Sequence, residues 1–109
     1  MMKFQAKHVT LAVELVQING EERKLSAPPL SSQKASELLD RLIKEDKDFD
    51  SSHQKNEAIY TAMSAHYARQ LSEIYSTEAS YWLENFDGST VANVKRYVID
   101  ELLGVVKKD

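Results

Sequence analysis

Residues 46–57 read DKDFDSSHQKNE, the one stretch of this chain whose residue types and spacing could do chemistry on their own. In a calcium loop, alternating side-chain oxygens and a closing glutamate surround the ion. Asp46, Asp48, Asp50, Ser52, Gln54 and Glu57 stand at those positions. Against that reading, Ser51 stands where the loop's sharp turn calls for glycine. His53 replaces the usual aliphatic residue, and no second such stretch exists to pair with the first. The competing reading is a solvated connector whose acids precede a helix N-terminus, where negative charge is favoured by ~0.3–1 kcal/mol. Asp50 or Ser51 then caps the next helix. The connector is the expectation, and no metal ligand is predicted.

The remaining chemistry-bearing residues are scattered. Histidines occur at 8, 53 and 66 with no partner one helical turn away, so they do not form a zinc site. His66 falls on an apolar stripe, which predicts a partly buried, hydrogen-bonded imidazole. Cysteine is absent, and three glycines in the whole chain are too few for a phosphate-cradling loop. The stretch DGST at 87–90 could suggest anion binding at a helix start, but a helix stop followed by a cap accounts for it. No catalytic and no cofactor-binding residue is predicted, and the chain is read as a non-enzyme.

Bulk properties narrow the rest. With 109 residues and 42% hydrophobic content, the chain can close one core. It is read as a single domain, 1–109. Fourteen basic against seventeen acidic residues give a net charge of -3, and the basic ones form no stripe, so nucleic acid is not expected as a partner. Apolar runs are far shorter than the roughly 20 residues that span a bilayer, and MMKFQAKHVT lacks a secretory apolar segment. The expectation is a soluble, intracellular protein with no membrane partner.

The elements that would carry these residues can be read from periodicity. Val9, Leu11, Val13 and Leu15 alternate as on a half-buried strand. Val16 and Ile18 shift that phase, which predicts a bulge or burial on both faces, and Asn19-Gly20 is a two-residue hairpin signal. EERKLS returns as a charged edge strand, and Pro28-Pro29 closes a hairpin region spanning 1–27. The helical region spans 31–109. Ser31 or Ser32 caps a helix near 32–45 that carries Ala35, Leu38, Leu39, Leu42 and Ile43. Ser51-x-x-Gln54 is a capping box for a second helix with the stripe Ile59, Ala62, Met63, His66, Tyr67, Gln70, Leu71 and Ile74. Ser76-Thr77 caps a short third helix with Ala79, Trp82, Leu83 and Phe86, which ends at Asp87-Gly88. Ser89 begins a fourth, with Val91, Val94, Val98, Leu102 and Val105 on one stripe. The fold class is therefore mainly α within α+β: an N-terminal β-hairpin followed by about four amphipathic helices packed as a small bundle.

QINGEERKLSAPPLSSQKASELLDRL followed by acidic amphipathic helices and the late WLENFDGSTVANVKRYVIDELL resembles, in layout and over nearly the full length, the small tail assembly chaperones of long-tailed bacteriophages. The resemblance implies binding of the helical tape-measure protein and help in recruiting tail tube subunits, in the host cytoplasm, without cofactor or catalysis. The implied mode is helix-in-groove recognition. Tyr75, Trp82, Phe86 and Tyr97, clustered around the third helix, are the partner-binding candidates. Alternatives are a helix-turn-helix regulator using Lys95 and Arg96 as its strong DNA contacts, a calcium-binding module, and another phage structural or adaptor protein. The sequence leaves a homo-oligomer open.

Overall fold

The computed structural model describes residues 1–6, 8–52 and 58–106. A two-stranded antiparallel hairpin, β1 (Val13–Val16) and β2 (Glu22–Leu25), is followed by α1 (Ser32–Ser52), α2 (Ile59–Tyr75), α3 (Ala79–Asn85) and α4 (Gly88–Val106). The order matches a hairpin leading into a small helical bundle. α1 packs on α4, and α2 packs on both α3 and α4.

The apolar alternation places Val9, Leu11 and Leu15 in the core, although regular pairing covers only the later half of that stretch. Val9 instead makes an isolated bridge to Leu30, exchanging both backbone hydrogen bonds with it at 2.8 and 2.9 Å. This second clamp ties the chain before β1 to the entry of α1. The phase shift at Val16 and Ile18 is not a doubly buried stretch, because both residues are exposed. The turn also departs from the two-residue form. Gly20 alone adopts a left-handed φ, 89°, and its N–H donates to Gln17 O at 2.8 Å, so Ile18, Asn19 and Gly20 form a three-residue loop. Asn19 stabilises it through Oδ1, which accepts from Glu21 N at 3.0 Å.

Ser31 caps α1, its hydroxyl accepting from Lys34 N at 3.2 Å. The helix does not stop near residue 45 but runs to Ser52, so Asp46, Asp48 and Asp50 lie on a helix and not in a solvated connector. The reason is Phe49. It is buried two turns beyond Leu42 and extends the stripe of Ala35, Leu39 and Leu42 through the acidic stretch. Asp50 and Ser51 consequently cannot cap α2, whose first helical residue is Ile59. Gln54, the other half of the expected capping box, and Glu57 lie outside the described residues.

α2 ends at Ser76 in a left-handed conformation, φ 55° and ψ 45°, with its N–H donating to Ser72 O. α3 then begins after Glu78 instead of at the Ser76-Thr77 pair, and Thr77 serves differently, accepting the Trp82 indole N–H at 2.8 Å. Asp87 heads α4: its carbonyl accepts from Val91 N at 3.2 Å, and its carboxylate accepts from the Thr90 hydroxyl. Val91, Val94, Val98 and Leu102 form the buried stripe of this last helix. Where α4 starts, it lies close to α2. A Cβ on Gly88 would stand 3.0 Å from the Ser64 hydroxyl, so the absence of a side chain there permits the approach.

Candidate functional site

Two concentrations of polar or aromatic groups organise the bundle. The first joins three helices. Asp46 lies on the buried face of α1 between Leu42 and Phe49, and α4 presents Lys95 opposite it. Lys95 is only 4% exposed, and its Nζ donates to both Asp46 carboxylate oxygens at 3.0 Å and to Gln70 Oε1. A buried ammonium without such acceptors would cost several kcal/mol, on the order of the desolvation of one ion.

α2 supplies the other two members. His66 Nε2 lies 2.7 Å from Asp46 Oδ1, and an ionised carboxylate only accepts, so the Nε2–H is the donor. Gln70 Nε2 donates at 3.1 Å to both Asp46 Oδ1 and Glu45 Oε1. Burial alone would push the Asp46 carboxyl up. The hydrogen bonds from His66, Lys95 and Gln70, with the Lys95 charge, outweigh it and hold the group below the ordinary aspartate range. The walls are aromatic: the His66 ring stacks on Phe49 at 4.7 Å, and Lys95 Nζ lies 4.7 Å from the Tyr67 ring centroid. Burial first, then the charges of Asp46 and Asp50, raise the Tyr67 hydroxyl above its ordinary range.

An open cleft of about 340 Å³ flanks this knot between α1 and α2, lined by Asp48, Phe49, Ser52, His66, Arg69 and Glu73 among others. The Ser52 hydroxyl on its margin donates back to Asp48 O at 2.9 Å within its own helix. Successive residues of a helix also diverge by roughly 100°. Asp46 and Asp48 therefore leave opposite faces of the helix, and Asp50, on the same side as Asp46 one turn on, is exposed, an arrangement unlike a loop wrapped round one ion. Among the described residues, no group of three or more acidic or histidine side chains is disposed to hold a metal.

The second concentration surrounds α3. Trp82 is fully buried, with ring centroids of Tyr75, Tyr81 and Phe86 at 5.9, 5.6 and 5.6 Å. The structure thus brings three of the partner-binding candidates together, but inside. Tyr75 and Phe86 are each 5% exposed and Trp82 is 0% exposed, so none offers a surface to a partner in this conformation. Tyr97 stands apart on α4, where its hydroxyl donates to Ala12 O at 3.1 Å and its ring borders a groove along β1. Burial, then the Glu101 charge, raises its hydroxyl above the ordinary range. Of the two candidate DNA contacts, Lys95 is committed to the polar knot, while Arg96 is exposed.

Residue type alone does not mark Asp46 and Lys95 as partners. A signal was present: both interrupt apolar stripes, Asp46 four residues after Leu42 and Lys95 next to Val94, and two opposite charges on buried faces call for each other. A more apolar groove borders α1 and α2 as well. Ala27, Pro28, Leu30, Leu38 and Ile74 line a cleft of about 340 Å³, rimmed by Lys34, Glu37, Arg41 and Glu73. The Arg41 guanidinium reaches Glu73 at 3.1 Å across one end. No helix among the described residues is long and apolar enough to cross a membrane. Comparison with protein-family models, with curated proteins and with solved structures returned no match.

Proposed function

We propose that this protein is a non-enzymatic tail assembly chaperone of a long-tailed bacteriophage, which binds the tape-measure protein and assists tail tube assembly in the host cytoplasm. The reading starts from the layout of hairpin and acidic helices. The observation that carries it is the groove between the Pro28 connector, α1 and α2, with its floor of Ala27, Leu30, Leu38 and Ile74. An apolar floor with charges of both signs on its rim suits an amphipathic helix, whose apolar stripe enters while its flanking charges meet the rim. The polar knot has a different part in this reading. It fixes α1 against α2 and α4, so the groove walls are held in place before a client arrives.

The groove replaces the aromatic cluster as the expected client surface, since Tyr75, Trp82 and Phe86 already have their packing partners within the domain. The test is co-expression with a helical tape-measure fragment that is insoluble alone. The wild-type chain should keep the fragment in solution, and Leu38→Glu, at the partly exposed centre of the floor, should lose that ability while retaining the helical circular dichroism spectrum. A wild-type chain that leaves every such fragment insoluble defeats the proposal. A folded Leu38→Glu variant that protects as well as wild type removes the groove from it.

A further inference from the structure

We infer that the outer edge of β2 is a self-association surface, on which a second copy of this chain pairs antiparallel to form the sheet β1-β2-β2-β1. The argument begins with the ladder. Gln17 N donates to Glu21 O at 2.8 Å, and the register continues that pair as Leu15↔Arg23 and Val13↔Leu25. Because bonded and non-bonded pairs alternate in an antiparallel ladder, the N–H and C=O groups of Glu22 and Lys24 point away from β1. No other described backbone group bonds them, and Glu22, Arg23 and Lys24 are all exposed.

β1 differs in this respect. Its own outward residues, Glu14 and Val16, line a groove with Thr90, Asn93 and Tyr97 of α4, and the residues flanking the strand are bonded, Ala12 O by the Tyr97 hydroxyl and Ile18 N to Asn85 O at 2.9 Å. The free edge of the sheet is therefore that of β2. A hairpin of two strands is marginal by itself, and further strands add to its stability.

Charge selects the occupant. Charged edge residues commonly keep strands apart, but the sequence Glu22-Arg23-Lys24 changes sign within one repeat of the ladder. A two-fold axis through Arg23 sets Glu22 of each copy opposite Lys24 of the other, so both hydrogen-bonded positions become opposite-charge pairs, which favour cross-strand association. The axis also brings Arg23 near its own counterpart. That repulsion is relieved because each guanidinium lies over the Tyr81 ring of its own chain, 5.1 Å from the centroid. A partner strand of uniform charge would leave one of the two positions facing its like.

The experiment uses the full chain and two single charge reversals at exposed positions. Wild type, Glu22→Lys and Lys24→Glu are each followed by sedimentation equilibrium over a range of concentrations, then the two variants are mixed. Wild type should dimerise, and each variant alone should associate about tenfold more weakly or worse, since both of its edge pairs become like-charged. The mixture should recover a heterodimer, because the lysines of one chain then face the glutamates of the other. That recovery also shows that both variants are folded. A wild-type chain that stays monomeric throughout, variants that dimerise as wild type does, or a mixture that fails to recover association would each overturn the inference.

Discussion

The knot around Asp46 and the cluster around Trp82 are both central to the bundle, yet they hold it by opposite means. The aromatic cluster is sealed by area: Trp82 is fully enclosed, and its one polar atom is satisfied by Thr77. The knot is sealed by complementarity, with each charged or amide group answered across a helix boundary. Removing a ring leaves a hole, whose cost follows the volume lost. Removing one member of the knot leaves a charge without its counterpart, whereas removing both charges together need cost nothing. The same bundle should thus respond to truncation everywhere around α3 but only to unbalanced changes around Asp46.

The largest expected effect tests the aromatic half. Trp82→Ala should lower stability by about 4 kcal/mol, measured by urea denaturation, because the fully buried ring packs against Tyr75, Tyr81 and Phe86 and its loss opens a cavity among them. A loss below about 1 kcal/mol would erase the contrast. Next, Asp46→Ala should cost about 2 kcal/mol, less than a fully buried partner would because its side chain is 38% exposed. Lys95→Met should cost less, about 1 kcal/mol, because the Asp46 carboxylate it leaves is partly open to water and keeps its His66 and Gln70 donors, and the double variant should cost less than the sum of the two. Equal losses from both single changes would show the pair acting as an ordinary net-favourable bridge.

The pH dependence sharpens the same half. The folded Asp46 carboxyl lies below its ordinary value, so its contribution is present above the unfolded pKa, near 3.9, and is lost as pH falls through the folded value. Denaturation midpoints should therefore decline below about pH 4, and Asp46→Asn should flatten that decline. The smallest effect concerns Tyr75. Its hydroxyl is buried with no hydrogen-bond partner among the described residues, and burial, then the neighbouring Tyr97, raises it far above the ordinary tyrosine range. Tyr75→Phe should leave the cluster intact and raise stability by up to about 1 kcal/mol. A loss instead would mean that the hydroxyl is satisfied in solution.

The sequence revealed the parts of the fold that local periodicity encodes. Val91, Val94, Val98 and Leu102 announce α4, and Ala35, Leu39 and Leu42 announce the first half of α1. The second half was obscured because Phe49 stands alone among acids, and a local reading cannot see that Lys95, on another helix, neutralises Asp46. The turn failed for a similar reason. Asn19-Gly20 is compatible with more than one hairpin loop, and pairing of Gln17 with Glu21 chooses among them. The partner-binding candidates were the least legible. An aromatic residue at helical spacing looks the same whether it seals a core or faces a partner, and only the placement of α3 against α2 put Tyr75, Trp82 and Phe86 inside.

The close approach of Gly88 to Ser64 carries a consequence for variation. The two positions share one small volume, so a methyl group at 88 must be matched by a retreat at 64. In sequences that diverge from this one, alanine or larger at the first should accompany glycine or alanine at the second. A library randomised at both sites and selected for folding should recover that covariation as an anti-correlation of side-chain size.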